Sequence, residues 1–200
     1  MSRVLPILFN MEMVRSILDG RKSCTRRIIK PQPQGYFEVS EEPLYIYDTD
    51  GKQGKITPPY QPGDILYVRE TWKQAPNGYY YYEDWQRSDI ADITKWKPSI
   101  HMPKEAARIW LKVTDVRAER LQEITAESAL LEGTDKYIHL NGKFDKNAIL
   151  TSFMGIWNST IKKSDFDRYG WDTNPYVWVI EFERCEKPKE EKGNDSGDSK

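Results

Sequence analysis

The sequence predicts an α+β fold in which short helices are inserted between the strands of a small β-barrel. Three segments of strand character open, centre and close the chain, at residues 3–9, 108–117 and 176–183. Helical spacing of apolar residues appears between them, most clearly over 148–161. Strands that pair across such distances form one sheet more readily than separate domains, and a small sheet of this kind closes into a barrel.

Composition excludes several classes of protein. The chain has 200 residues, 38% of them apolar, which fits one globular domain. Its mean hydropathy is -0.77, and no apolar run approaches the length of a transmembrane helix. The N-terminus lacks a signal-peptide pattern. We therefore expect a cytoplasmic protein. Two cysteines, Cys24 and Cys185, and two histidines show no disulfide or metal-ligand spacing. We therefore expect free thiols, no metal and no cofactor.

The first elements follow from local signals. Residues 3–9 read as a strand that Pro6 confines to a sheet edge or bulge. A short helix follows, with Asn10 as its N-cap and Gly20 at its end. Residues 22–29 are basic and β-branched, which predicts a turn that passes into a strand.

The middle of the chain contains two predicted insertions, near 31–62 and near 73–105. The first is rich in Pro, Gly and Tyr and reads as a loop or hairpin, with Tyr45–Tyr47 as a strand before an Asp50-Gly51 turn. A turn at 62–64 then leads into a strand predicted over 65–72. In the second insertion, 79–82 reads as a strand and 84–103 as irregular.

The last third supplies the remaining elements. The strand at 108–117 precedes a helix over 124–133 that ends at Gly133, and 148–161 and 176–183 follow as a helix and a strand. Residues 186–200 contain no apolar side chain and are predicted to be disordered. Residues 1–185 are therefore predicted to form a single domain.

The near-neutral net charge of -1 hides a basic N-terminal region. Residues 1–30 carry seven basic and two acidic side chains, and five of the basic ones lie within 21–30. This density suits a phosphate or another anion, although a solvated basic turn has the same pattern.

The same segment holds the residue types that nucleophilic catalysis needs. Gly20 allows the chain to reverse after the helix, which brings Lys22, Thr25, Arg26 and Arg27 towards one place. Thr25 is a candidate nucleophile if Lys22, with its pKa lowered by burial or by neighbouring cations, removes the hydroxyl proton. The alternative is structural: a threonine in a strand and a lysine in a basic turn.

Glu70 and Trp72 are the second pair of candidates. If the strand runs over 65–72, Glu70 shares a face with Val68 and Trp72, where a carboxylate needs a partner. It is either a general acid or ligand acceptor, or one half of an ion pair with an N-terminal arginine. The Trp72 ring, with others among the 25 aromatic rings of the chain, either stacks on a nucleobase or fills the core, as we expect of Trp110, Trp157 and Trp178.

Several of these segments together resemble the ASCH domain family. They are Gly20-x-Lys22-x-x-Thr25-x-Arg27 after a short helix, the run from Pro62 to Trp72, and the strand at 108–117 followed by Leu121–Thr125. The resemblance, which extends from residue 4 to 183, implies a PUA-like β-barrel and a link to RNA, and it is greatest to the longer ASCH proteins of phages and prophages. The family signature GxKxxExR has Glu where this chain has Thr25. The related branch that deacetylates N(4)-acetylcytidine also has Thr at this position.

The resemblance to that branch implies roles for individual residues. Lys22 would be the base, Thr25 the nucleophile and Glu70 the acid, with Gly20, Arg26, Arg27 and Trp72 in substrate binding. The expected function is RNA or nucleoside binding, with amidohydrolase activity on acetylated cytidine. The alternative is a non-catalytic module that binds RNA or a nucleotide, and a ribonuclease or a phage structural protein ranks lower.

Overall fold

The computed structural model describes residues 2–33, 37–41, 44–48, 54–85, 95–134 and 145–189. Within these ranges it confirms a mixed α and β fold, in which ten strands form three sheets. The strands are β1 Val4–Leu8, β2 Cys24–Ile28, β3 Phe37–Glu41, β4 Leu44–Asp48, β5 Gly54–Ile56, β6 Ile65–Arg69, β7 Trp72–Ala75, β8 Gly78–Tyr81, β9 Trp110–Arg120 and β10 Tyr176–Cys185.

The main sheet has five strands in the order β1-β6-β9-β10-β2. β1 and β6 are parallel, and the other neighbouring pairs are antiparallel. β1 and β2 are therefore the edge strands, and the Arg27 guanidinium bridges them by donating from Nη2 to the Leu8 carbonyl over 2.8 Å. Within the described residues no backbone ladder joins these two edges, so the sheet curls without the closed ladder of the predicted barrel.

Both predicted insertions contain small antiparallel sheets. The first holds β3, β4 and β5, and the second holds the β7–β8 hairpin. Ile46 and Ile56 are paired across β4 and β5, and both are buried in the main core. The hairpin alternative and the predicted strand at Tyr45–Tyr47 are thus confirmed, and the insertion is part of the domain core. Its predicted Asp50-Gly51 turn lies outside the described residues.

Five helices and five single 3-10 turns lie in the described ranges. Asn10 caps the first helix, its Oδ1 accepting from the Met13 N–H over 2.9 Å, as predicted. Thr125 and Asp145 cap two later helices in the same way. The helices are α1 Met11–Leu18, α2 Tyr82–Trp85, α3 Ala126–Leu131, α4 Lys146–Thr160 and α5 Phe166–Tyr169, and the 3-10 turns are Ser99–His101, Lys104–Ala106, Leu121–Glu123, Lys163–Asp165 and Trp171–Thr173.

The core lies on both faces of the main sheet. Successive strand residues point to opposite faces, and Val179 and Ile180 accordingly join different apolar clusters. Ile180 packs in the cluster that includes Ile17 of α1, whereas Val179 packs with Phe153 of α4. A third cluster surrounds Tyr67, Met102, Trp72 and Trp110. Burial of Trp110, Trp157 and Trp178 confirms their predicted place in the core.

Two predictions about the chain as a whole are tested in part. None of the helices in the described ranges combines the length and apolar character needed to cross a bilayer. Of the predicted disordered tail, residues 186–189 have no regular secondary structure, and the remainder lies outside the described residues.

Candidate functional site

The site begins at the turn between α1 and β2. Gly20 has φ +74°, a backbone conformation that favours glycine, and the N–H groups of Arg21 and Lys22 both donate to the Ser16 carbonyl, over 2.8 and 3.0 Å. This reversal directs the Lys22 side chain back beneath the helix. The sequence predicted this role for Gly20.

The Lys22 ammonium is fully enclosed and fully hydrogen-bonded. Its side chain is 0% exposed. Nζ donates to the Cys24 carbonyl over 2.8 Å, to the Glu132 carbonyl over 3.1 Å and to Glu132 Oε2 over 2.8 Å. These three acceptors match in number the three hydrogens of a protonated amine, and the role of Lys22 as a base stays a prediction.

Glu132 also pairs with Arg26, whose side chain is 1% exposed. Arg26 Nη1 donates to Glu132 Oε1 over 3.2 Å, and Nη2 donates to Ser128 Oγ over 3.0 Å and to Glu119 Oε2 over 3.3 Å. The Glu132 carboxylate therefore lies between two buried cations. Its position is fixed by the end of α3, where Glu132 is the C-cap and Gly133 adopts φ +91°.

Sequence reasoning missed Glu132, although a signal was present. A carboxylate at the C-terminal end of a helix faces the negative end of the helix dipole. The sequence Leu131-Glu132-Gly133 places an acid there, and such a residue needs cations to balance it. The basic segment at 21–30 supplies them.

Thr25 and Arg27 lie on the opposite face of β2 from Cys24 and Arg26. Thr25 pairs with Ile180 of β10 and is buried. Among the described residues its hydroxyl has no hydrogen-bond partner, and no hydrogen bond links it to Lys22. Lys22 and Arg27 nevertheless share a neighbour, because Lys22 Nζ and Arg27 Cζ lie 5.5 and 5.4 Å from the centre of the Phe9 ring.

Glu70 contacts a different arginine from those predicted. Arg108 Nε and Nη2 donate to its two carboxylate oxygens, each over 2.9 Å, and Arg108 Nη1 donates to Asp84. The alternative of a buried ion pair is confirmed, but its predicted partner is wrong, because Arg108 rather than an N-terminal arginine holds the carboxylate. Burial raises the pKa of Glu70, against the hydrogen bonds from Arg108, which lower it. The role of Glu70 as the acid partner of Lys22 and Thr25 stays a prediction. The carboxylate that contacts Lys22 is that of Glu132.

Trp72 does not share a face with Val68. The predicted strand over 65–72 was too long: β6 ends at Arg69, the chain bends at Thr71, and Trp72 begins β7. Val68 consequently packs in the main core and Trp72 in the third cluster. The ring is 4% exposed and lies 4.8 Å from Lys97 Nζ, so its predicted stacking on a base stays a prediction.

A cleft of about 680 Å³ lies between α1 and α4. Glu132 lines it, whereas Lys22 and Thr25 do not. Much of the remaining wall carries hydroxyl groups or very small side chains. The lining residues from α4 include Ala148, Thr151, Ser152, Gly155 and Ser159.

Within the described ranges, no three His, Cys, Asp or Glu side chains lie close enough together to hold a metal ion. Cys24 and Cys185 are both free thiols, as predicted.

The described contacts therefore give a cleft with Glu132 in its wall, a buried Lys22–Glu132–Arg26 cluster behind that wall, and Thr25 and Arg27 on the other face of β2. Comparison with the profiles of known protein families, with curated proteins and with solved structures finds no match to this chain.

Proposed function

We propose that the protein binds the base and ribose of a nucleoside, free or within RNA, in the cleft between α1 and α4. The observation that carries this proposal is a buried carboxylate, Glu132, in the wall of a cleft of about 680 Å³. Clefts of roughly 300 to 1,000 Å³ with a few placed polar groups are typical of small-molecule sites. This volume suits a nucleoside.

Glu132 has the chemistry to recognise an exocyclic amine. A carboxylate accepts from the N4 amino group of cytosine, and each of its oxygens accepts more than one hydrogen bond. Oε2 accepts from Lys22 and Oε1 from Arg26, which leaves further lone pairs for a ligand. The two cations offset the cost of placing this charge beside a base that excludes water.

The side of the cleft that α4 forms suits a ribose. Thr151, Ser152 and Ser159 offer hydroxyl groups along one side of the cleft, and hydroxyls both donate and accept. Such groups match the hydroxyls of a sugar without adding charge.

The family resemblance belongs to the same proposal. An ASCH-type domain with a PUA-like barrel places a basic motif after its first helix, and here Arg27 bridges the two edge strands of a curled sheet. RNA or nucleotide partners follow from that resemblance as proposals, and a cytoplasmic location is proposed from the low hydropathy of the sequence.

Filling the cleft tests the proposed site. Gly155 lines it, and a Cβ added there would meet no atom within 4 Å outside the local helix backbone. Gly155→Leu is therefore expected to weaken binding of cytidine or N(4)-acetylcytidine at least about tenfold, measured by calorimetry. Thermal stability should be equal or higher, because leucine in a helix interior is favoured over glycine by up to about 1 kcal/mol.

Asn147→Leu is the matched control, since Asn147 is exposed on the same helix and does not line the cleft. It should leave the affinity unchanged. Equal nucleoside affinity in wild type and Gly155→Leu would show that the cleft is not the binding site.

Amidohydrolase activity is the second candidate, and the Lys22–Glu132 contact favours it. Transfer of one proton along this 2.8 Å hydrogen bond converts the ion pair into an amine and a carboxylic acid, which are a general base and a general acid. A ligand that excludes water from the cleft favours the neutral pair. Binding ranks first because Thr25 and Lys22 do not line the cleft.

The proposed reaction has two steps. Thr25 Oγ1 forms a bond to the acetyl carbon as its proton passes to Lys22 Nζ, and the C–N bond breaks as Glu132 protonates the leaving amine. Water then attacks the acetyl-threonine ester and gives one proton to Glu132. The product leaves as acetic acid, which loses the second proton of the water to solvent and becomes acetate. The proton that Lys22 gained returns to the Thr25 oxygen.

Acetate release from N(4)-acetylcytidine tests this activity. Thr25→Val is expected to lower the rate at least about 100-fold, as loss of the nucleophile requires. The fold should be unaffected, because the Thr25 hydroxyl has no hydrogen-bond partner in the described residues. Thr114→Val, at an exposed position of β9, is the matched control and should keep full activity. Equal rates for wild type and Thr25→Val would rule out this mechanism.

A further inference from the structure

Arg27 differs from its neighbour Arg26 in what balances its charge. Arg26 is paired with Glu132 and Glu119 and is enclosed. Arg27 has no carboxylate within 4.0 Å among the described residues, and its hydrogen bond there goes to the Leu8 carbonyl, a neutral group. Glu132 attracts the Arg27 charge only from a longer distance, so the guanidinium has capacity for an external anion.

The surroundings of Arg27 strengthen that capacity. The Phe9 ring lies 5.4 Å from its Cζ, and Tyr60 lies close enough to interact with its charge. Burial lowers the pKa of Arg27 because these groups remove water from the guanidinium. Attraction between opposite charges is stronger where water is excluded.

The guanidinium also has donors to spare. Nη2 is used by Leu8, whereas Nε and Nη1 have no partner in the described part of the chain, and the Arg27 side chain is only partly buried. An arginine fork with two nitrogens to spare matches two oxygens of a phosphate.

We propose that Arg27 binds a phosphate group of the ligand where β1 and β2 meet, so that the ligand class is a nucleotide or RNA. This inference rests on the proposed nucleoside site for the remainder of the ligand.

The two sites are close along one short segment. The Leu8 carbonyl holds Arg27, and Asn10, two residues later, lines the cleft. Two residues of extended chain span roughly 7 Å. Phe9 lies between them, with Lys22 near the same ring, so one ligand can reach from the cleft to Arg27.

Calorimetry on the full chain tests the phosphate site. The probes are cytidine, cytidine 5'-monophosphate, a short cytidine-containing RNA and inorganic phosphate, each at low and at high salt. We expect the monophosphate or the RNA to bind wild type about tenfold more tightly than cytidine, as charge-assisted hydrogen bonds provide. High salt should reduce the gain.

Arg27→Gln should abolish the gain, and a thermal unfolding transition like that of wild type shows that the variant is folded. Arg27→Lys, which keeps the charge but not the fork, should keep part of it. Arg184→Gln removes the same charge from an exposed position of β10 and should keep all of it.

The outcomes separate this inference from the proposed function. A gain confined to RNA and lost in Arg27→Gln supports the inference with a polymer as the ligand. Arg27-dependent binding of inorganic phosphate without cytidine binding supports it while the nucleoside proposal fails. Equal affinity for cytidine and the phosphorylated ligands, or a gain that persists in Arg27→Gln, overturns it.

Discussion

Asp64 gives a clear link between one residue and the pH dependence of stability. It is buried at the turn before β6 and accepts from Arg3 N, Nε and Nη2 and from the Gln61 N–H. Burial raises the pKa of Asp64, but the hydrogen bonds outweigh it and hold the pKa below its ordinary value. The carboxylate form therefore stabilises the fold above the unfolded pKa, about 3.9, and this contribution is lost as the pH falls through the lower, folded value.

We accordingly expect Asp64→Asn to lower the free energy of unfolding by about 1 to 2 kcal/mol near pH 7, allowing for the half-exposed Arg3 side chain. The difference from wild type should shrink when the pH is well below about 4. Urea unfolding at both pH values measures it. The exposed Asp167, changed to Asn, is the control, and a constant difference at the two pH values would contradict the assignment.

At the residue scale, the sequence identified the local half of the candidate site. Gly20, Lys22, Thr25 and Arg27 follow one another closely, so a turn and strand alternation place them. Glu132 lies 110 positions from Lys22, and only tertiary packing brings the two together. Glu70 is a similar case. Its need for a partner was predicted, but the partner, Arg108, lies 38 positions away in the sequence.

At the scale of elements, strands with strong apolar patterning were predicted well, and their ends were not. The predicted helix at 148–161 corresponds to α4, and the predicted strand at 108–117 to β9, which continues to Arg120. β9 extends because β10 pairs with it along its length, to Arg120 itself. Sequence alternation alone does not report a partner, so the end of β6 at Arg69 was also missed.

The first insertion shows how packing adds to local signals. Its prolines and glycines favour turns, whereas Tyr45–Tyr47 has the residue types of a strand. Ile46 and Ile56 bury their side chains against the main core. Burial of two such side chains stabilises the strands by several kcal/mol at most, at about 1.5 to 3 kcal/mol each.

At the scale of the molecule, the main sheet separates two chemical environments. One face of β2 carries Cys24 and Arg26 towards α3 and α4, and the other carries Thr25 and Arg27 towards the core that includes Phe9. Neighbouring residues of this one strand therefore contribute to both environments, since Arg26 pairs with Glu132, which lines the cleft, and Arg27 bridges β1 and β2.

Cys24 provides a probe of whether the two faces unfold together. It is 1% exposed in the cluster beneath α3 and α4, and burial raises its pKa to about 12. Because the thiolate is the reactive form, Cys24 in a Cys185→Ser variant should resist iodoacetamide near pH 8 until the protein unfolds. Cys24→Ser, which retains the half-exposed Cys185, is the control and should react in the native state.

β2 is an edge strand, so local detachment of β2 is an alternative route by which Cys24 becomes exposed. If the sheet and helices unfold as one unit, the labelling rate rises with urea as steeply as global unfolding measured by tryptophan fluorescence. Labelling that is independent of urea would show instead that β2 opens alone.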